Sequence, residues 1–152
     1  MEQINKVKSI SIWIFIIPFV AVNTCLFIIT NLHGLIEQPY RLFNTIPYID
    51  GGASISRTAR YFPNYLIFKP AMFLTSYLLI KYWVLNKQIV NSFERNHKYI
   101  KKFVFFGIAS AIALTIHSIF LGIKFENDVY KLFRRVIMLS FIIFEIVAQA
   151  YL

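Results

Sequence analysis

ISIWIFIIPFVAVNTCLFII, residues 10–29, runs for twenty residues without a charged side chain. At ~1.5 Å of rise per residue, a helix of that length crosses the ~30 Å hydrocarbon core of a bilayer. Lys6 and Lys8 stand just before it. A cleaved signal peptide would have a shorter apolar core and an A-x-A-like site after it; the stretch therefore reads as a permanent first span. Pro18 predicts a kink, and Asn23 and Thr24 are the strongly polar residues of its interior.

Working outward, the rest of the chain repeats this pattern. Of 152 residues, 58% are hydrophobic and 15% charged, against about 25% charged in soluble domains. Further apolar runs at 63–85, 103–123 and 135–152 join the first, at 10–31 with its flank. The expectation is an all-α, polytopic transmembrane bundle of four spanning helices, forming one domain over residues 1–152. Basic residues at 86–102 and helical apolar spacing at Leu85, Ile89, Val90 and Phe93 predict that the second helix continues beyond the bilayer. The fourth run reaches the last residue without a polar flank, the pattern of a piece of a longer protein.

The net charge of +9 does not point to nucleic acid, because most basic residues flank apolar runs, as positive-inside placement and snorkelling require. With an N-terminus in the cytoplasm, eight basic residues fall on the cytoplasmic side and seven opposite. The balance favours that orientation by one. Cys25 is the sole cysteine, which excludes an intrachain disulfide.

The long connection, residues 32–62, ends in a polar motif whose core is IDGGASISRTAR, residues 49–60. Gly51 and Gly52 let backbone N–H groups converge, Ser54, Ser56 and Thr58 add donors, and Arg57 and Arg60 offer forked charge suited to phosphate. At a membrane surface the nearest phosphates belong to lipid headgroups. The ligand set expected on these grounds is Asp50, Arg57, Arg60 and Lys69, with an anionic phospholipid as partner. A solvated turn with interfacial arginines is the competing account.

Four polar residues lie inside apolar runs: Asn23, Lys69, His117 and Glu145. Helical rise puts them ~9–15 Å from the loop side. On the third helix Phe106, Ser110, Ala113, Leu114 and His117 share a face; on the fourth, Arg134, Met138, Phe141, Glu145, Ala148 and Gln149 do. His117 and Glu145 are thereby expected to meet as a buried polar pair. Such a pair either handles protons or only fixes helix register, since a carboxylate near the bilayer centre costs ~2.5–3.5 kcal/mol unless compensated. No H-E-x-x-H, paired-cysteine or P-loop spacing occurs, so no metal, cofactor or nucleotide is expected.

Pro47-Tyr48-Ile49-Asp50-Gly51-Gly52 after an apolar helix, then Phe62-Pro63 and Ile67-Phe68 leading into another, resembles the Frag1/DRAM/Sfk1 family. Members carry a P-x-I-S-x-x-G-like motif there; Asp50 stands at its serine, and no glutamate follows Pro63. The resemblance spans residues 10–85. It implies a multi-pass membrane protein linked to lipid handling, GPI-anchor remodelling or autophagy, and carries over no catalytic residue. Three function classes follow: a non-catalytic protein engaging lipid headgroups, a membrane-embedded enzyme or proton-coupled carrier using His117 and Glu145, and a structural subunit or homo-oligomer in a larger membrane complex.

Overall fold

A computed structural model describes residues 2–32, 49, 58–93, 98–121 and 128–152. It is an all-α bundle of four helices: α1 (Glu2–Asn31), α2 (Asn64–Phe93), α3 (Ile100–Phe120) and α4 (Asp128–Tyr151). Each helix packs against the next in the chain. Asn64 at the start of α2 bonds to Cys25 near the end of α1, and Tyr130 near the start of α4 bonds to Phe120 at the end of α3. Neighbours therefore run antiparallel, and the end of α1, the start of α2, the end of α3 and the start of α4 share what we call the loop end.

The helix bounds differ from the apolar runs in instructive ways. α1 begins at Glu2 and not near residue 10, because Glu2 and Lys6, one turn apart, form an ion pair of 2.7 Å that extends the helix into its polar head. α2 passes through Pro70 and continues to Phe93 as a single helix. α3 closes at Phe120, where Leu121 turns extended, three residues before the expected end of that run. Most of the 32–62 connection, Asp50 and Arg57 included, lies outside the described residues.

Two apolar clusters hold the bundle. Toward the loop end, Cys25, Ala59, Phe68, Met72, Leu114 and Leu121 interlock. Toward the other end the cluster is Leu79, Trp83, Ile100, Phe103, Ala111 and Ala148, and Phe141 packs against both. Small residues set the closest approach. Gly107 lies directly under the indole of Trp83, where a Cβ would fall inside the ring's van der Waals envelope.

Among the described residues, α1 and α3 are long and apolar enough to cross a membrane by length and composition. α2 carries Lys69, Lys81 and Lys87, and α4 carries Arg134, Arg135 and Glu145, which lowers their apolar content. α4 turns polar as well as apolar residues to the bundle and leaves large apolar side chains exposed beside Lys131 and Arg135. Arg134, Phe141, Glu145 and Ala148 form the stripe turned to the bundle. Val136, Leu139, Ile143 and Ile146 are exposed.

Candidate functional site

The polar residues inside the bundle fall into two tiers. The inner tier is built on Glu145. Its Oε2 accepts from the Ser110 hydroxyl at 2.6 Å and from the Trp83 indole N–H at 3.4 Å, while Oε1 accepts from the Gln149 amide at 3.1 Å. One carboxylate thus joins α2, α3 and α4. Ser110 also lies 2.8 Å from the carbonyl of Gly107, so its single hydroxyl hydrogen is shared between two acceptors.

The outer tier lies at the loop end. Arg60 precedes α2, His117 is one turn from the end of α3, and Arg134 is in the second turn of α4. Arg134 is within electrostatic reach of both Arg60 and His117. Arg60 Nε, His117 Nδ1 and Arg134 Nε are buried and have no hydrogen-bond partner. The described carboxylates are used elsewhere: Glu2 by Lys6, Asp128 by Lys131 at 2.8 Å, and Glu145 by the inner tier. Among the described residues, neither guanidinium has an ion pair. The ring of Tyr130 lies 5.9 Å from the Arg134 guanidinium, and its hydroxyl donates to the Phe120 carbonyl at 2.6 Å. That bond fixes the start of α4 against the end of α3.

Local chemistry accounts for the placement of Arg60. Asn64 is fully buried, and its amide donates to the carbonyls of Cys25 at 3.0 Å and Thr58 at 2.8 Å. Those bonds clamp the 58–64 turn, which carries Arg60, onto α1.

Of the residues expected from sequence, Arg60 and His117 each lie within electrostatic reach of Arg134. Glu145 and His117 do not share a bond: each serves a different tier. Ser110, the partner of Glu145, is seven residues before His117, ~10 Å along α3. Lys69 stands nearby, with its ammonium 3.4 Å from the Ile119 carbonyl, where a cation complements the end of α3. Asn23 donates to the Phe19 carbonyl of its own helix at 2.7 Å. Asp50 and Arg57 are outside the described residues.

Arg134, Ser110 and Trp83 join the two tiers without belonging to the expected ligand set or polar pair. A signal existed for two of them: Ser110 shares the helical face of His117, and Arg134 that of Glu145. Nothing in the chain announces Trp83, whose carboxylate partner is 62 residues away.

Among the described residues no group of three or more His, Cys, Asp or Glu is arranged to hold a metal ion. No family model, curated protein or solved structure matches this chain.

Proposed function

We propose that this chain is a multi-pass integral membrane protein of four spans that holds a phosphate-bearing lipid headgroup between Arg60, His117 and Arg134. The observation that carries the reading is the outer tier itself. Leaving a buried polar group unpaired costs ~1–3 kcal/mol, and more when the group is charged. Two unpaired guanidinium nitrogens within electrostatic reach of one another suit an anion, and their forks match phosphate oxygens; His117 Nδ1 adds a donor when it carries the ring proton.

Support for four spans comes from the surfaces. α2 exposes Leu66, Phe73, Leu74 and Tyr77, and α4 exposes Val136, Leu139, Ile143 and Ile146. Contiguous apolar faces of that kind belong against lipid or another apolar partner. At the end remote from the loop, Lys102 caps the rings of Tyr99 at 5.4 Å and Tyr151 at 5.2 Å, with Lys98 and Lys101 beside them in sequence. Aromatic rings among lysines mark a membrane–water boundary, and the lysines favour the cytoplasmic side. The headgroup would then come from the leaflet at the loop end. The resemblance of the loop motif to the Frag1/DRAM/Sfk1 family agrees with a lipid-linked role and rests on the sequence. In the acid–base alternative, His117 and Glu145 would have to leave separate neighbours to act together.

Native mass spectrometry of co-purifying lipids, comparing wild type with Arg60→Ala/Arg134→Ala, tests the reading. Selective loss of anionic phospholipid from the variant is expected. Identical lipid spectra would refute it.

A further inference from the structure

We infer a second lipid site, in the opposite leaflet: the cleft between α1 and α2 at the end remote from the loop takes an anionic phospholipid, its headgroup on Lys6 and Lys81. It rests on the reading that α1 and α2 cross the bilayer and is independent of the loop-end arginines. The cleft measures about 460 Å³, within the ~300–1,000 Å³ of ordinary small-molecule sites. Its polar members are the Lys6 and Lys81 ammoniums and the Ser9 hydroxyl. Ile10 of α1 and Ile80, Val84 and Leu85 of α2 supply its aliphatic walls.

The height of the cleft selects an amphiphile. Asn64 meets the Cys25 carbonyl, and counting from that contact along the antiparallel α1 and α2 sets Lys81 opposite Lys8, ~3 Å along the axis from Lys6. The charge-free run of α1 begins at Ile10. Both ammoniums therefore stand where α1 enters the hydrocarbon, with Ile10 and Ile80 on the bilayer side of them. Headgroups and glycerol occupy a further ~5–8 Å on each face of a bilayer, and Val84 and Leu85 stand at that height. An occupant of the whole cleft is apolar at one end and anionic at the other. A leaflet lipid has that form, whereas a soluble anion leaves the aliphatic walls bare.

Charge then selects among lipids. The described lining carries two cations and no carboxylate. Lys81 has no ion pair among the described residues, and its ammonium lies 4.7 Å from the centroid of the Tyr77 ring. Lys6 bonds to Glu2 at 2.7 Å, but the two side chains are 59% and 83% exposed, and an ammonium has three hydrogens to share. It can serve a phosphate as well. Basic pockets between spanning helices bind anionic headgroups; a zwitterionic headgroup brings its own cation and gains less.

The test uses the full chain in phosphatidylcholine vesicles doped with phosphatidylglycerol that carries a photoreactive acyl chain. Phosphatidylcholine with the same chain is the matched arm, and labelled peptides are mapped by mass spectrometry. Labels are expected around Ile10 and Ile80, stronger for the anionic probe. Lys6→Gln/Lys81→Gln should lower anionic labelling there by about fivefold or more, the worth of one basic residue at an anionic surface, and leave phosphatidylcholine labelling unchanged. Val84→Phe, which fills the cleft and keeps both lysines, should lower labelling by both probes. Arg60→Ala/Arg134→Ala should leave the cleft labels as they are, so failure of either site leaves the other standing. Retained helical circular dichroism and elution volume qualify each variant. Cleft labels equal for the two probes and indifferent to the lysines overturn the anionic lipid. Labels no stronger than on the exposed α4 face at Leu139 and Ile143 mean surrounding lipid only and overturn the site. Loss of a dimer in Val84→Phe, with labelling unchanged, assigns the cleft to a second copy of the chain and overturns the proposal. A chain that stays outside the vesicles overturns both lipid sites.

Discussion

Gly107→Ala is expected to destabilise the bundle, although alanine is the better helix former. The substitution adds one methyl on the α3 face that meets α2, and that methyl lands within the indole of Trp83. Trp83 is fully buried and wedged between Tyr82 and Phe103, with ring centroids at 5.2 and 6.1 Å. It cannot swing aside as a flexible side chain would. Overpacking of this kind costs ~1–3 kcal/mol, and a rigid ring puts the cost near the upper value. The gain in helix propensity returns ~1 kcal/mol, for a net loss of ~2 kcal/mol. At ~2–4 °C per kcal/mol for a chain of this size, Tm should fall by about 4–8 °C. The assay is thermal unfolding in detergent followed by tryptophan fluorescence, where buried Trp83 dominates the change because the other tryptophan, Trp13, is already 52% exposed. Trp83→Leu in the Gly107→Ala background should recover part of the loss, with a coupling of ~1 kcal/mol or more. A Tm equal to or above that of wild type would mean that propensity outweighs the clash and would refute the proposed packing.

Glu145→Ala leaves the Trp83 N–H without its carboxylate acceptor, at ~1–3 kcal/mol; Glu145→Gln keeps an acceptor and should cost less. Equal loss in the two variants by the same melting assay would show that Trp83 does not depend on this acceptor. Asn64→Asp sets carboxylate oxygens against the carbonyls of Cys25 and Thr58 in place of N–H donors, so it should destabilise more than Asn64→Ala, itself expected at ~1–3 kcal/mol. The reverse order in Tm would contradict the clamp. Lys69→Met removes an exposed, 3.4 Å contact and should shift stability by no more than about 0.5 kcal/mol. A larger loss would give Lys69 a part in the core. The Lys6 ammonium holds the Glu2 carboxyl below its ordinary range through a hydrogen bond and direct charge attraction. The support this lends the first turn of α1 is present above the unfolded carboxylate range and lost as pH falls through the lowered value. Both groups are solvent-exposed, so NMR titration of Glu2 should show the depression shrinking as salt is added; insensitivity to salt would count against it.

The four helices, the all-α class and the polar residues on α3 and α4 follow from one-dimensional pattern. Helical spacing alone puts Arg134, Phe141, Glu145 and Ala148 on one stripe, and Ser110 with His117 on another. What such spacing lacks is the axial offset between helices. A shift of one turn, ~5.4 Å, changes which residues face each other. The Tyr130 hydroxyl on the Phe120 carbonyl and the packing of Phe106 on Phe144 and of Phe120 on Phe133 fix the offset of α3 and α4 at which Glu145 meets Ser110 and His117 lies near Arg134. Charge could not have revealed it, since histidine beside carboxylate is the more favourable pairing by Coulomb attraction. Composition made α1 and α3 long and apolar enough to cross a membrane, because apolar content and helix length are properties of the residues themselves. Partnership across the bundle was decided only in the tertiary structure, because it depends on how bulky and small side chains interlock between segments distant in sequence.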